Sequence, residues 1–108
     1  MINSDLIVLD YEAKDRLDVI SNLALLMDKN GNLIDRQGYI DAVIEREEKF
    51  PTCFDFGVAI PHGKTDSVEE ACFSFLRLKE PMKWCGEDSE AVRLIFQIAV
   101  PESNAGDL

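Results

Sequence analysis

The sequence predicts an α/β domain, bordering on α+β, in which a mixed sheet is flanked by helices. Two stretches in the first half carry apolar residues at helical spacing, and three short apolar runs in the second half carry strand character. A further short apolar run precedes the first helix. The order strand, helix, helix, then three strands belongs to a mixed sheet domain. The chain has 108 residues, which suits a single domain over 1–108. With 46% hydrophobic and 30% charged residues it has the composition of a globular protein with one core.

Leu6 to Leu9 is rich in Leu, Ile and Val and reads as a first strand. From Ala13 the period changes: Leu17, Ile20, Leu23, Ala24 and Met27 form one helical stripe. Asn30-Gly31 marks the end of this helix near Asp28. Asp35 is placed to cap a second helix running to about Lys49, with Tyr39, Ile40, Val43 and Ile44 inward and Asp41, Glu45 and Glu48 outward. Phe50-Pro51 ends it, because the residue before a proline disfavours the α region. Val58-Ala59-Ile60 reads as a short strand stopped by Pro61. Cys72 to Leu78 reads as the next strand, with turns at Glu80-Pro81 and Cys85 to Asp88. Leu94 to Val100 is nearly all apolar and predicts a central strand covered on both faces. Two helices do not provide that cover and Val100 lies eight residues from the last one, so a further C-terminal portion is expected.

A net charge of −10 disfavours nucleic acid and anionic membranes as partners. It fits a basic partner face, and it fits solubility as well. The start, Met1 to Asp5, has neither a basic region nor an apolar signal core, and no apolar run reaches membrane-spanning length. A cytoplasmic location is therefore expected. Cys53, Cys72 and Cys85 are odd in number and form no C-x-x-C, which predicts reduced thiols. One histidine and three scattered cysteines do not make a zinc site.

His62, the single histidine, follows the strand ending at Ile60-Pro61 and precedes Gly63-Lys64. A stiff turn after a buried strand holds an imidazole and leaves it accessible, as a nucleophile requires. A nucleophilic imidazole must also be neutral, a form that histidine side chains take near pH 7. The plainer reading is a loop histidine without a role. Ser67-Val68-Glu69-Glu70 has the form of a capping box, and a helical turn there would aim N–H groups toward an anion. Lys64 offers a nearby positive charge.

The stretch from Arg46-Glu47 through Pro51-Thr52 to Gly57-Val58-Ala59-Ile60-Pro61-His62 resembles the signature of the fructose/mannitol-type enzyme IIA family of the sugar phosphotransferase system. In that pattern an Arg-Glu pair ends a helix, a loop threonine follows, and the strand runs into the phosphorylated histidine. Lys14 to Leu23, Gly31 to Val43, Leu78 to Pro81 with Trp84, and Val92 to Pro101 extend the likeness over nearly the whole chain.

The resemblance implies a phosphotransferase working through a phosphohistidine. His62 takes a phosphoryl group from the carrier protein HPr and gives it to a cysteine of enzyme IIB, with enzyme IIC as the indirect link to the membrane. No cofactor, metal or nucleotide is implied. Arg46 matches an active-site arginine able to hold phosphate oxygens, or it is a helix C-terminal cation. Thr52 matches a threonine that donates to phosphate or imidazole, or it is a turn hydroxyl. Trp84 is packing or partner surface. A regulatory module, nitrogen-type or linked to a transcription regulator and phosphorylated as a signal, is the alternative. Pro51 stands where many members have Ser, and Phe54-Asp55 replaces a glycine-containing loop. Members carry a second histidine beyond the central strand, and the 108 residues stop short of it.

Overall fold

A computed structural model describes residues 3–102. Residues 1–2 and 103–108 lie outside the described residues. After a single 3-10 turn at Ser4–Leu6 come β1 (Ile7–Tyr11), α1 (Arg16–Lys29) and α2 (Arg36–Lys49). They are followed by β2 (Cys53–Phe54), β3 (Val58–Ala59), β4 (His62–Thr65), β5 (Cys72–Met82) and β6 (Val92–Pro101).

Both helices begin where an aspartate satisfies a free amide. Asp15 accepts from Asp18 N and Asp35 accepts from Gly38 N. The first helix thus starts at Arg16 rather than at Ala13. It ends with Gly31 at φ +84, where Gly31 N donates to Asp28 O and Asn32 N to Met27 O. These two bonds take up the last carbonyls of the helix. The second helix ends at Phe50, whose extended φ of −139 leads into Pro51.

The strands form one mixed sheet in the order β1-β5-β6-β3-β2, with β4 also on β6. β1 runs parallel to β5, β5 antiparallel to β6, and β3 and β4 run parallel to β6 one after the other. β3 and β4 are one course interrupted at Ile60-Pro61. Pro61 has no N–H, but its carbonyl still accepts from Ile98 N, so the ladder resumes beyond it. The expected stop after Ile60 is therefore a gap, and His62 opens a strand. Glu80-Pro81 likewise lies inside β5 rather than in a turn.

The core lies between the sheet and the two helices. Val19, Ile20, Leu23, Ala24, Met27, Tyr39 and Val43 meet Leu76, Leu78, Ile95 and Ala99. Each fully buried Leu or Ile contributes about 1.5–3 kcal/mol. Gln97 Nε2 donates to Ile20 O, and Tyr39 Oη to Ile98 O, so polar contacts also tie both helices to one face of the sheet. Burial along β6 alternates: Val92, Ile95, Gln97 and Ala99 are buried, while Leu94, Phe96, Ile98 and Val100 are half-buried. Among the described residues the helices cover one face, not both. On the other face Phe75 and Phe96 stack with ring centres 4.9 Å apart.

No helix forms at Ser67. Ser67 O accepts from Ile34 N and Asp35 N, and the amides of Glu69 and Glu70 go to Asn32 O. The segment is bound to the helix–helix connection, with Leu33 bridged to Val68, and has no amides to offer an anion. The expectation of three reduced thiols is also overturned. Cys53 and Cys85 form a disulfide across 32 residues, with Cα atoms 6.3 Å apart, and only Cys72 is free. Each bonded cysteine follows a residue, Thr52 or Trp84, that donates to the buried carboxylate of Glu47, and this brings the two together.

Thiol titration of the denatured, unreduced protein is accordingly expected to find one thiol, and three after reduction. Reduction should lower the unfolding free energy in urea by about 2–4 kcal/mol. Burial, with Glu70 adding repulsion, pushes the Cys72 thiol up to about 11. Its alkylation in the native protein should be slow at neutral pH and accelerate as the pH approaches that value, because only the thiolate reacts.

Candidate functional site

His62 is half-buried at the first position of β4. Its Nδ1 lies 3.0 Å from the carbonyl oxygen of Ile60. A carbonyl can only accept, so Nδ1 carries the proton in this contact and Nε2 keeps its lone pair. In the neutral ring Nε2 is thus the nitrogen left without a proton. Gly63, which follows it, faces α2: a Cβ there would come within 2.9 Å of Val43 Cγ2 and 3.2 Å of Tyr39 Cε1. Glycine lets the strand approach the helix closely enough to place His62 against it.

The surface in front of the imidazole is an open groove lined by Ala42, Glu45, Arg46, Lys49, His62 and Lys64. The four α2 positions follow i, i+3, i+4, i+7 and form one helix stripe. The two β4 positions alternate with Gly63 and so share a strand side. Three cations and one carboxylate therefore surround His62 in a chain of net charge −10. Glu45 reaches Lys49 Nζ at 3.7 Å, an exposed pair of small energetic weight that leaves the lysine free to turn.

Of the residues singled out from sequence, Arg46 and Lys64 share the groove with His62. Arg46 Nη1 donates to Phe50 O at 2.8 Å and its guanidinium lies 5.1 Å over the Phe50 ring. Arg46 caps the C-terminus of α2 and also lines the groove. Thr52 is buried and lies off the groove. Its hydroxyl donates to Glu47 Oε1 at 2.8 Å, so its one hydrogen is already used. Trp84 is packing: it is buried, and its Nε1 donates to Glu47 Oε2 at 3.1 Å. Lys49 escaped notice in the sequence, although its i+3 spacing from Arg46 placed it on the same helix stripe. Glu47, next to Arg46, is fully buried despite its charge, and no local pattern foretold that.

Larger than this groove is an apolar one lined by Leu6, Ile60, Cys72, Phe73, Phe96 and Ile98 among others. It has no cation to hold a phosphoryl group. Among the described residues there is no cluster of metal-ligating side chains, and no helix is long and apolar enough to cross a membrane.

A family model described as phosphoenolpyruvate-dependent sugar phosphotransferase system, EIIA 2, matches residues 1–108. The fructose-specific EIIABC component of the phosphotransferase system of Bacillus subtilis is 35% identical over 94% of the chain. The chain spans only 16% of the length of that relative. Among solved structures, nitrogen regulatory protein IIA-Ntr from Neisseria meningitidis is 30% identical with a TM-score of 0.83, covering 97% of the chain and 71% of its own. IIA mannitol from Escherichia coli has the same fold at 23% identity and a TM-score of 0.83, covering 99% of the chain and 77% of its own.

Replacing Gly63 by Ala should cost about 1–3 kcal/mol in urea unfolding, because the added methyl meets Val43 and Tyr39 in a packed contact. A cost below experimental error would mean that β4 and α2 are not held as closely as described.

Proposed function

The chain belongs to the EIIA 2 family of the phosphoenolpyruvate-dependent sugar phosphotransferase system, and on that premise we propose that it is a cytoplasmic phosphocarrier in which His62 takes the phosphoryl group. The observation that carries this reading is the His62 ring, with Nδ1 tied to Ile60 O, lining one groove with Arg46, Lys49 and Lys64.

In the proposed step the Nε2 lone pair attacks the phosphorus of phospho-HPr. The P–N bond to the HPr histidine breaks, and its electron pair returns to that ring. The phosphorylated His62 ring keeps its Nδ1–H on Ile60 O, which supports the positive charge it now shares. A thiolate of enzyme IIB then attacks phosphorus, and the P–N bond electrons return to Nε2. The transferring group is loosely bonded to both nitrogens, so the protein acts mainly by alignment and charge. Arg46 offers guanidinium N–H groups beyond the one used on Phe50 and serves as the bidentate ligand of the phosphate oxygens. Lys49 and Lys64 add positive potential. Thr52 assists from behind the ring, not by touching phosphate. The fructose-specific relative that joins EIIA to EIIB and EIIC in its name supports a fructose-family sugar and the IIB partner.

A second reading, a regulatory module phosphorylated as a signal, draws on the likeness to the nitrogen regulatory protein. Passage of the phosphoryl group on to an enzyme IIB cysteine separates the two. The carrier passes it, and the regulator retains it until hydrolysis.

Incubation with phosphoenolpyruvate, enzyme I and HPr should add one phosphoryl group by intact mass to the wild type and none to His62→Ala. The label should be lost in acid and kept in base, as a phosphoramidate is. Labelling of the His62→Ala protein would place the site elsewhere. Arg46→Ala should slow uptake by about 10- to 100-fold by removing the bidentate charge, and a rate within twofold of wild type would reduce Arg46 to a helix cap.

A further inference from the structure

Behind His62 lies a chain of hydrogen bonds that begins at a carboxylate with no access to solvent. We propose that Glu47 is a positioning residue for His62. Acting through Thr52 and the Ile60 peptide, its ionised carboxylate holds the carbonyl that keeps the imidazole proton on Nδ1. This rests on the reading of His62 as phosphoryl acceptor and adds to it the group that sets its reactive nitrogen.

Glu47 is 0% exposed. Its Oε1 accepts from Thr52 Oγ1 at 2.8 Å, and its Oε2 accepts from Thr52 N at 2.8 Å and from Trp84 Nε1 at 3.1 Å. Two bonds from one residue to one carboxylate fix both the backbone and the rotamer of Thr52. Because the hydroxyl spends its hydrogen on Glu47, its lone pairs turn outward. Ile60 N donates there at 3.3 Å and to Thr52 O at 3.0 Å. The Ala59–Ile60 peptide is thereby anchored, and the Ile60 carbonyl, in the next peptide unit, accepts from His62 Nδ1 at 3.0 Å. Only one residue separates Ile60 from His62, and that residue is Pro61, whose φ is fixed by its ring. Little slack remains between carboxylate and imidazole.

The three groups that meet Glu47 are all donors, so the position calls for a group that only accepts. An ionised carboxylate is such a group, and an amide of the same shape is not. Glu47→Gln would point N–H toward a donor and turn the Thr52 hydroxyl, so that Ile60 N loses its bond to Oγ1 and is held by Thr52 O alone. A merely structural acid would affect folding and leave the tautomer of a distant ring alone.

The test uses the single histidine as its reporter. Long-range ¹H–¹⁵N spectra of the imidazole give the tautomer, and phosphorylation kinetics with HPr as variable substrate separate kcat from KM. Wild type and Thr52→Ser, which keeps the hydroxyl, should show the Nδ1–H tautomer and similar kcat. Thr52→Val and Glu47→Gln should show mixed tautomers and a kcat lower by about ten- to a hundredfold, with KM for HPr within about twofold. Should Glu47→Gln fail to fold, Thr52→Val carries the test, because valine keeps the shape and leaves Glu47 two donors. Folded variants with the wild-type tautomer and kcat would overturn the positioning role alone. A wild type that takes no phosphoryl group would overturn the carrier reading and the positioning role with it.

Discussion

A carboxylate out of reach of water organises this molecule's working end. An ionised Glu47 with no partners would be strongly destabilising at 0% exposure, since desolvation of a lone charge costs many kcal/mol. It is tolerated because three donors from two separate segments converge on it. Such charge-assisted bonds are about twice as strong as neutral ones. One segment is the loop after α2, carrying Thr52 and then β2. The other is the turn after β5, carrying Trp84. Their meeting places Cys53 beside Cys85, and the disulfide makes the meeting covalent. From Thr52 the same order passes to Ile60 and to the ring of His62.

On the other side of the ring the organising quantity is local charge. Averaged over the chain, a net charge of −10 would repel phosphate. The α2 stripe of Arg46 and Lys49 and the neighbouring Lys64 reverse that sign where it matters. Arg46 and Lys49 sit at the last turn of α2, where they also complement the negative end of the helix dipole. The same residues therefore serve the helix and the groove. On the proposed reading, a phosphoryl group arriving there would meet positive charge beside the imidazole, whose proton is held on Nδ1 by Ile60 O.

The sequence was informative where structure is set by neighbours along the chain. The stripe of Tyr39, Ile40 and Val43, the cap at Asp35 and the stop at Phe50-Pro51 gave α2 almost to the residue, because each is a local effect. His62, Arg46 and Lys64 were found through a motif and lie in one groove. What escaped depends on contacts distant in sequence. Pro61 ends a strand in a local reading, yet the partner strand needs only its carbonyl, so pairing resumes at His62. The capping pattern at Ser67 lost to the backbone of Asn32 and Ile34, which claimed its amides and carbonyl first. Spacing of 32 residues gave no hint of the Cys53–Cys85 pair. Thr52 was singled out through the motif, but its hydroxyl is directed by Glu47, whose burial no periodicity foretells.

The most direct test of the account is the nitrogen that bears phosphorus. In the phosphorylated, ¹⁵N-labelled protein, ¹H–¹⁵N and ³¹P spectra of the one imidazole should show phosphorus on Nε2 of His62 with the proton retained on Nδ1. Phosphorus on Nδ1 would contradict it, because that atom is occupied by the Ile60 carbonyl in the arrangement from which the mechanism follows.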